Sequence, residues 1–75
     1  MTLQECEFKK EVEILSLNGL DIKLKIRLYE IGFFPTSKVQ VLNKSYSKKT
    51  ILVHVLDSCF TIKSDIAGCV EVKYV

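Results

Sequence analysis

A chain of 75 residues has room for one domain, residues 1–75, with one modest hydrophobic core. Such a domain buries only about 60% of the surface that its unfolded chain exposes, so we expect a small stability margin. Apolar residues make up 48% of the chain and charged residues 27%, which excludes a disordered tail. The net charge of +2 excludes a strong electrostatic attraction to nucleic acid or anionic lipid.

The sequence carries no targeting or membrane signal. Residues 1–13 are polar and mixed in charge, without the apolar run of a signal peptide. No apolar run approaches the roughly 20 residues of a membrane span, so the expectation is a cytoplasmic protein without direct membrane insertion. Cys6, Cys59 and Cys69 are odd in number and lack C-x-x-C spacing. They are therefore interpreted as packing or surface thiols, not as a disulfide framework or a zinc ribbon.

The chain opens with a short helical turn and a strand. Thr2 can cap the turn, and Glu5, three residues later, can complete a capping box. We expect Leu3, Cys6 and Phe8 to point inward from this segment. Residues 10–17 then alternate in the manner of a first strand, with Val12 and Ile14 on one face.

Residues 18–35 fit two different structures. Asn18-Gly19 lies between apolar-rich runs, which is a hairpin signal, and every second residue from 20 to 28 is apolar, as in a strand. The alternation breaks after Leu28, so a single strand would need a bulge to keep one face apolar. Wound as a helix, the segment has a capping residue in Asp21 and a terminating glycine in Gly32. The pattern favours the helix but leaves the strand open.

A helix here would have two apolar stripes. The inner stripe comprises Leu20, Leu24, Leu28 and Ile31, and the second stripe, roughly opposite, comprises Ile22, Ile26 and Tyr29. In a domain with one core only the inner stripe can pack, so the second stripe is expected to face outward.

After Pro35 the pattern predicts strands. Residues 37–45 carry Val39 and Val41 on one face of a strand. Residues 43–49 read as a polar basic loop that overlaps the end of that stretch, and residues 50–56 form another strand. A tight turn at Asp57-Ser58 would place Val55 opposite Phe60 and His54 opposite Thr61 in the hairpin. A helical turn at 64–68 and a closing strand at 69–75 follow. The sum is a mainly β fold, a small five-stranded antiparallel barrel with one helix.

Residues 26–42, "IRLYEIGFFPTSKVQVL", resemble the signature of the ferrous iron transport protein A (FeoA) family. The residues that carry the resemblance are Arg27, Leu28, Ile31, Gly32, Pro35, Val39 and Val41, and the likeness spans nearly the whole chain. It implies an SH3-like five-stranded antiparallel barrel, a helix between strands 1 and 2, and short helical turns near both termini. It also decides residues 20–31 in favour of helix. Thr36 departs from the family's usual glycine, which points to a type I turn or a longer loop there.

No catalytic or cofactor-binding constellation is present. There is no G-x-x-x-x-G-K-[ST] or G-x-G-x-x-G loop, so we expect no enzyme and no cofactor. With one histidine and no H-x-x-E or E-x-x-H spacing, a metal site is not predicted. The candidate ligands for one at the hairpin are His54, Asp57 or Cys59.

The second stripe carries the functional prediction, because clustered exposed apolar residues usually mark a contact surface. Partner binding is assigned to Ile22, Ile26 and Tyr29, with Arg27 and Glu30 as flanking charges. The resemblance implies that the partner is the membrane ferrous iron permease that carries a G domain (FeoB), whose transport or assembly the protein would modulate. Self-association through the same stripe is equally compatible with the sequence.

Two rival functions remain from the sequence. A nucleic-acid-binding barrel could use Tyr46 with Lys44, Lys48 and Lys49, although the small net charge makes nucleic acid an unexpected partner. A metal-sensing domain, like the C-terminal domain of iron-dependent repressors, would depend on His54.

Overall fold

The computed structural model describes all 75 residues, and its backbone contains five strands, one long helix and two short helical turns. In chain order these are a 3₁₀ turn at Leu3–Glu5, β1 at Glu11–Leu17, α1 at Ile22–Glu30, β2 at Lys38–Ser45, β3 at Thr50–Val55, β4 at Ser58–Lys63, α2 at Ser64–Ala67 and β5 at Val70–Tyr74. The predicted order of elements, with the helix between the first two strands, is confirmed.

The ambiguous segment is a helix with both of its ends satisfied. The Asp21 side chain accepts a hydrogen bond from the Leu24 N–H at 2.9 Å. At the other end Gly32 adopts φ +91°, while the N–H of Phe33 donates to Leu28 O at 2.8 Å and that of Gly32 donates to Tyr29 O at 3.1 Å. This pair of bonds is a Schellman motif, which turns the chain sharply and sends Phe33 into the core.

All strand pairs are antiparallel, in the order β4-β3-β2-β1-β5. The ladder is not closed, because β4 and β5 are its two edges and are not paired with each other. In β1 the register shifts between Ile14 and Ser16. A bulge changes which residues face inward. The buried positions of β1 are therefore even-numbered before the shift, at Val12 and Ile14, and odd-numbered after it, at Leu17.

The core collects residues from every element. Sixteen hydrophobic side chains are buried in one cluster, and no polar or charged side chain is buried. From α1, Leu28 is fully in the core, and Leu24 and Ile31 pack against it half-buried, as the inner stripe predicts. The 3₁₀ turn contributes Leu3, which is completely buried.

One prediction about local packing was wrong. Phe8 is 49% exposed and does not point inward; the Lys44 ammonium lies 5.4 Å from the centre of its ring. The overlap between the predicted strand and loop at 43–45 belongs to the strand, because β2 continues to Ser45 beyond a register shift between Val41 and Asn43.

The turn around Thr36 also differs from expectation. Thr36 has φ +81°, and the Ser37 N–H donates to Phe34 O at 2.9 Å, so the turn is of type II after all. A β-branched residue rarely takes this conformation. It is held there because Thr36 N–H donates to Ile14 O at 2.8 Å and the Ser37 hydroxyl donates to Gly32 O at 2.6 Å.

The β3–β4 hairpin is shifted by two residues from its predicted register. Its loop is Leu56-Asp57, so Val55 lies opposite Ser58 and Val53 lies opposite Phe60. Leu56 has φ +51°, a conformation that a two-residue loop usually gives to glycine or asparagine. Nothing in the amino-acid type of Leu56 signals this turn.

Candidate docking surface

The second stripe of α1, formed by Ile22, Ile26 and Tyr29, is solvent-exposed and is called the outer stripe from here on. These side chains are 70%, 52% and 49% exposed, respectively. They are spaced i, i+4 and i+7, so they follow one side of the helix while Leu28 fills the core on the other. About half or more of each side chain therefore faces solvent, and the three form an exposed apolar strip.

An aromatic contact extends the outer stripe beyond the end of α1. The rings of Tyr29 and Phe34 are 6.1 Å apart, with an interplanar angle of 64°, in an edge-to-face arrangement. Phe34 is 38% exposed, because the turn after Gly32 sends Phe33 inward and leaves its neighbour outside. Sequence reasoning missed Phe34. The available signal was the Phe33-Phe34 pair itself, because two adjacent side chains in extended backbone point in opposite directions and only one of them can enter the core.

Leu56 lies at the same end of the helix. A Cβ atom placed on Gly32 would come within 2.6 Å of Leu56 Cδ1, so the leucine side chain covers the glycine directly. Leu56 is nevertheless 69% exposed. Its packing against the helix end was not visible in the sequence.

Arg27 and Glu30, the two charges assigned to the rim of the outer stripe, lie on α1. Both are exposed, and neither belongs to the two ion pairs of the molecule, which join the N-terminal ammonium to Glu71 and Lys10 to Glu7. Unpaired charges beside an apolar strip can orient a partner without opposing an internal salt bridge.

One lysine of the basic loop already makes hydrogen bonds within the protein. The Lys44 ammonium donates to the Gln4 carbonyl, and it lies 3.5 Å from the Cys6 carbonyl oxygen. Lys48 and Lys49 are exposed in the turn with Tyr46, which is 83% exposed. Only two of the three lysines therefore remain available to a phosphate backbone.

The thiols and the histidine do not build a metal centre. Cys6 is buried, its thiol donates to Leu3 O at 3.1 Å, and burial raises its pKa. The hairpin register places His54 opposite Cys59, not opposite Thr61 as predicted. No group of three or more histidine, cysteine, aspartate or glutamate side chains is arranged to hold a metal ion.

None of the helices has the length and the apolar composition to span a bilayer. The longest, α1, has 9 residues.

Comparisons with known proteins agree with this fold. A family model described as the FeoA domain matches residues 1–74. The chain is 32% identical over 75 residues to a candidate Fe(2+) transport protein A of Campylobacter jejuni, with 100% of both chains covered.

Solved structures give the same result. The solution structure of the FeoA protein from Chlorobium tepidum superposes with a TM-score of 0.90 at 21% identity, covering 100% of this chain and 70% of that one. The crystal structure of Stenotrophomonas maltophilia FeoA, described as a zinc complex of a prokaryotic SH3 domain protein, superposes with a TM-score of 0.79 at 26% identity, covering 97% and 89%. The five-stranded antiparallel sheet is thus SH3-like, and the chain belongs to the FeoA family of ferrous iron transport proteins.

Proposed function

We propose that the protein is a cytoplasmic, non-enzymatic accessory protein of ferrous iron uptake that binds the G-domain-containing permease FeoB. The outer stripe of α1 docks on the permease's cytoplasmic face, and docking modulates transport or assembly. The protein acts as one domain over residues 1–75 and needs no cofactor. Family membership supports the link to iron transport, and a role as a ferrous iron transport activating factor has been raised for the Stenotrophomonas maltophilia relative.

The observation that carries the proposal is the exposure of Ile22, Ile26 and Tyr29 on a helix whose other face is packed. Covering an apolar side chain of this size contributes about 1.5–3 kcal/mol when burial is complete. Three neighbouring side chains, continued by Phe34, therefore provide the apolar centre that a protein interface needs. Arg27 and Glu30 provide both signs of charge at its rim.

The test is a titration of the purified protein with the purified cytoplasmic domain of the permease. Binding is expected for the wild type, and Ile26→Asp should weaken it by more than about tenfold, because a carboxylate would be placed in the apolar centre. Tyr46→Asp is the matched control: it adds the same charge to a more exposed side chain in the β2–β3 turn, outside the outer stripe. Circular dichroism establishes that both variants are folded.

The proposal fails if the wild type does not bind, or if folded Ile26→Asp binds as tightly as Tyr46→Asp. Self-association through the outer stripe would instead appear as a dimer of the protein alone in sedimentation, lost in Ile26→Asp.

A further inference from the structure

A second apolar surface lies on the other side of α1. A groove of about 460 Å³ separates the helix from β4 and the start of α2. Its apolar lining consists of Leu24, Leu28, Ile31, Phe60, Ile62 and Ile66. This α1–β4 groove has a volume typical of clefts that accommodate ligand groups, roughly 300–1,000 Å³.

The rim of the α1–β4 groove has one sign of charge. Its three polar lining residues are Arg27, Thr61 and Lys63, and no carboxylate lines it. Neither Arg27 nor Lys63 is in an ion pair. The groove is therefore complementary to a segment that combines apolar side chains with acidic ones.

The sheet edge beside the groove is open, whereas the opposite edge is covered. Along β5, the Val72 N–H donates to Met1 O at 2.8 Å, and Thr2 forms a bridge with Glu71. No segment covers β4 in this way. Edges left open in this manner are templates for another strand.

The hairpin geometry identifies which backbone groups are free. In a two-residue hairpin the residues that close the loop exchange both hydrogen bonds, and the pattern then alternates. Since Val55 and Ser58 close this loop, Phe60 and Ile62 bond to β3, and Cys59 and Thr61 direct their N–H and C=O groups outward. The open edge and the α1–β4 groove thus adjoin at Thr61.

We propose that the α1–β4 groove binds an extended acidic segment of another protein, in which apolar and carboxylate side chains alternate. The segment adds to the outer edge of β4, places its apolar side chains against Leu24 and Phe60, and directs its carboxylates to Arg27 and Lys63. Strand addition supplies main-chain hydrogen bonds, and the groove and rim supply specificity. This site shares Arg27 with the rim of the outer stripe but none of its apolar side chains, and it does not depend on the proposed permease contact.

A second copy of the chain is a poorer occupant. Its own alternating acidic stretches, "EVEI" at 11–14 and "VEV" at 70–72, lie inside the sheet with Val12, Ile14 and Val72 buried. Pairing two β4 edges would also place two cationic rims, each with Arg27 and Lys63, along one edge, with no carboxylate in the groove lining to compensate.

The probe is a synthetic peptide of seven residues, Glu-Val-Glu-Ile-Glu-Val-Glu, acetylated and amidated, titrated into ¹⁵N-labelled protein. The amide signals of Thr61, Lys63 and Leu24 should shift, and amide hydrogen exchange of Thr61 should slow. The same peptide with lysine in place of every glutamate should bind about tenfold more weakly, because reversing contacts at two exposed cations changes binding by roughly 1–2 kcal/mol.

Two variants separate the edge from the rim. Thr61→Pro removes an outward N–H that bonds to no other strand, and an edge strand tolerates proline at such a position. The variant should weaken peptide binding about tenfold. Lys63→Glu should remove the preference for the glutamate peptide, and it tests the proposal independently if Thr61→Pro does not fold. Lys73→Glu, which makes the same charge change at an exposed position of β5 on the opposite edge of the sheet, should bind as the wild type does.

Three results would overturn the proposal. The first is equal affinity for the glutamate and lysine peptides, and the second is no shift at β4 at millimolar peptide. The third is a dimer through β4 in the absence of peptide, seen by sedimentation and abolished by Lys63→Glu or folded Thr61→Pro. Because the permease takes no part in these titrations, their failure leaves the outer stripe untouched, and failure of the permease titration leaves this groove untouched.

Discussion

Replacing Gly32 with alanine tests the junction on which both surfaces of α1 depend. Gly32 has φ +91°, and left-handed backbone costs an alanine about 1–2 kcal/mol. The added methyl group would also approach Leu56 Cδ1 to 2.6 Å and Leu56 Cγ to 3.1 Å. Overpacking costs about 1–3 kcal/mol, and the low end applies because the exposed Leu56 side chain can swing away. The sum is about 2–3 kcal/mol.

This loss is large for a domain of 75 residues, whose total stability is expected to be about 4–11 kcal/mol. Urea unfolding followed by circular dichroism should measure it directly, and the melting temperature should fall by roughly 10–20 °C. In a Leu56→Ala background the contact disappears and only the backbone strain remains. The cost of Gly32→Ala should therefore fall by about 1 kcal/mol there.

Two outcomes would refute this reasoning. A cost of Gly32→Ala below about 0.5 kcal/mol would mean that the helix end tolerates a side chain at this φ. An equal cost in the wild-type and Leu56→Ala backgrounds would mean that Leu56 does not pack on the helix end as described.

Thr36→Gly should stabilise the protein by about 0.5–1 kcal/mol in urea unfolding, because the strain energy relieved at the positive φ exceeds the entropic cost of a more flexible unfolded chain. A destabilised variant would contradict the type II turn. A thiol reagent should modify the exposed Cys59 in the native state, whereas Cys6, which is buried and has a raised pKa, should react only on unfolding. Mass spectrometry of partly labelled protein gives the order of labelling, and early labelling of Cys6 would contradict its burial. The Glu5 carboxylate accepts a bond from the Thr2 N–H, which lowers its pKa. The stabilising effect of this bond should be complete above the ordinary glutamate pKa of about 4.3 and be lost as the pH falls through the lower pKa of Glu5 in the folded protein. The wild type should therefore lose more stability than Glu5→Gln between pH 6 and pH 3.

The helix could be predicted because several independent signals agree on it. Asp21 and Gly32 end it, and the inner stripe gives it a face to bury, while the competing alternation requires a bulge. Alternation alone was ambiguous, since a helix with two apolar stripes also places apolar residues at every second position. The outer stripe, which produces that ambiguity, is also the surface that we propose for partner binding.

The turns could not be predicted, because they depend on tertiary contacts that override residue preference. Thr36 and Leu56 both adopt positive φ without being glycine or asparagine. At Thr36 the backbone bond to Ile14 holds the turn, and at Leu56 a short loop joins strands whose register is fixed by burial of Val53 and Ile62. Phe34 was missed for the same reason, since its position follows from the turn on either side of it.

The first six residues form part of the folded body, which decides where the molecule can be modified for experiments. They supply Leu3 and Cys6 to the core, and the Lys44 ammonium binds their carbonyl groups. A purification handle or fluorescent protein joined ahead of Met1 must leave these contacts intact through a flexible spacer. The turn at residues 46–49 is the safer attachment point, because its Tyr46 side chain projects into water and is not part of the buried core.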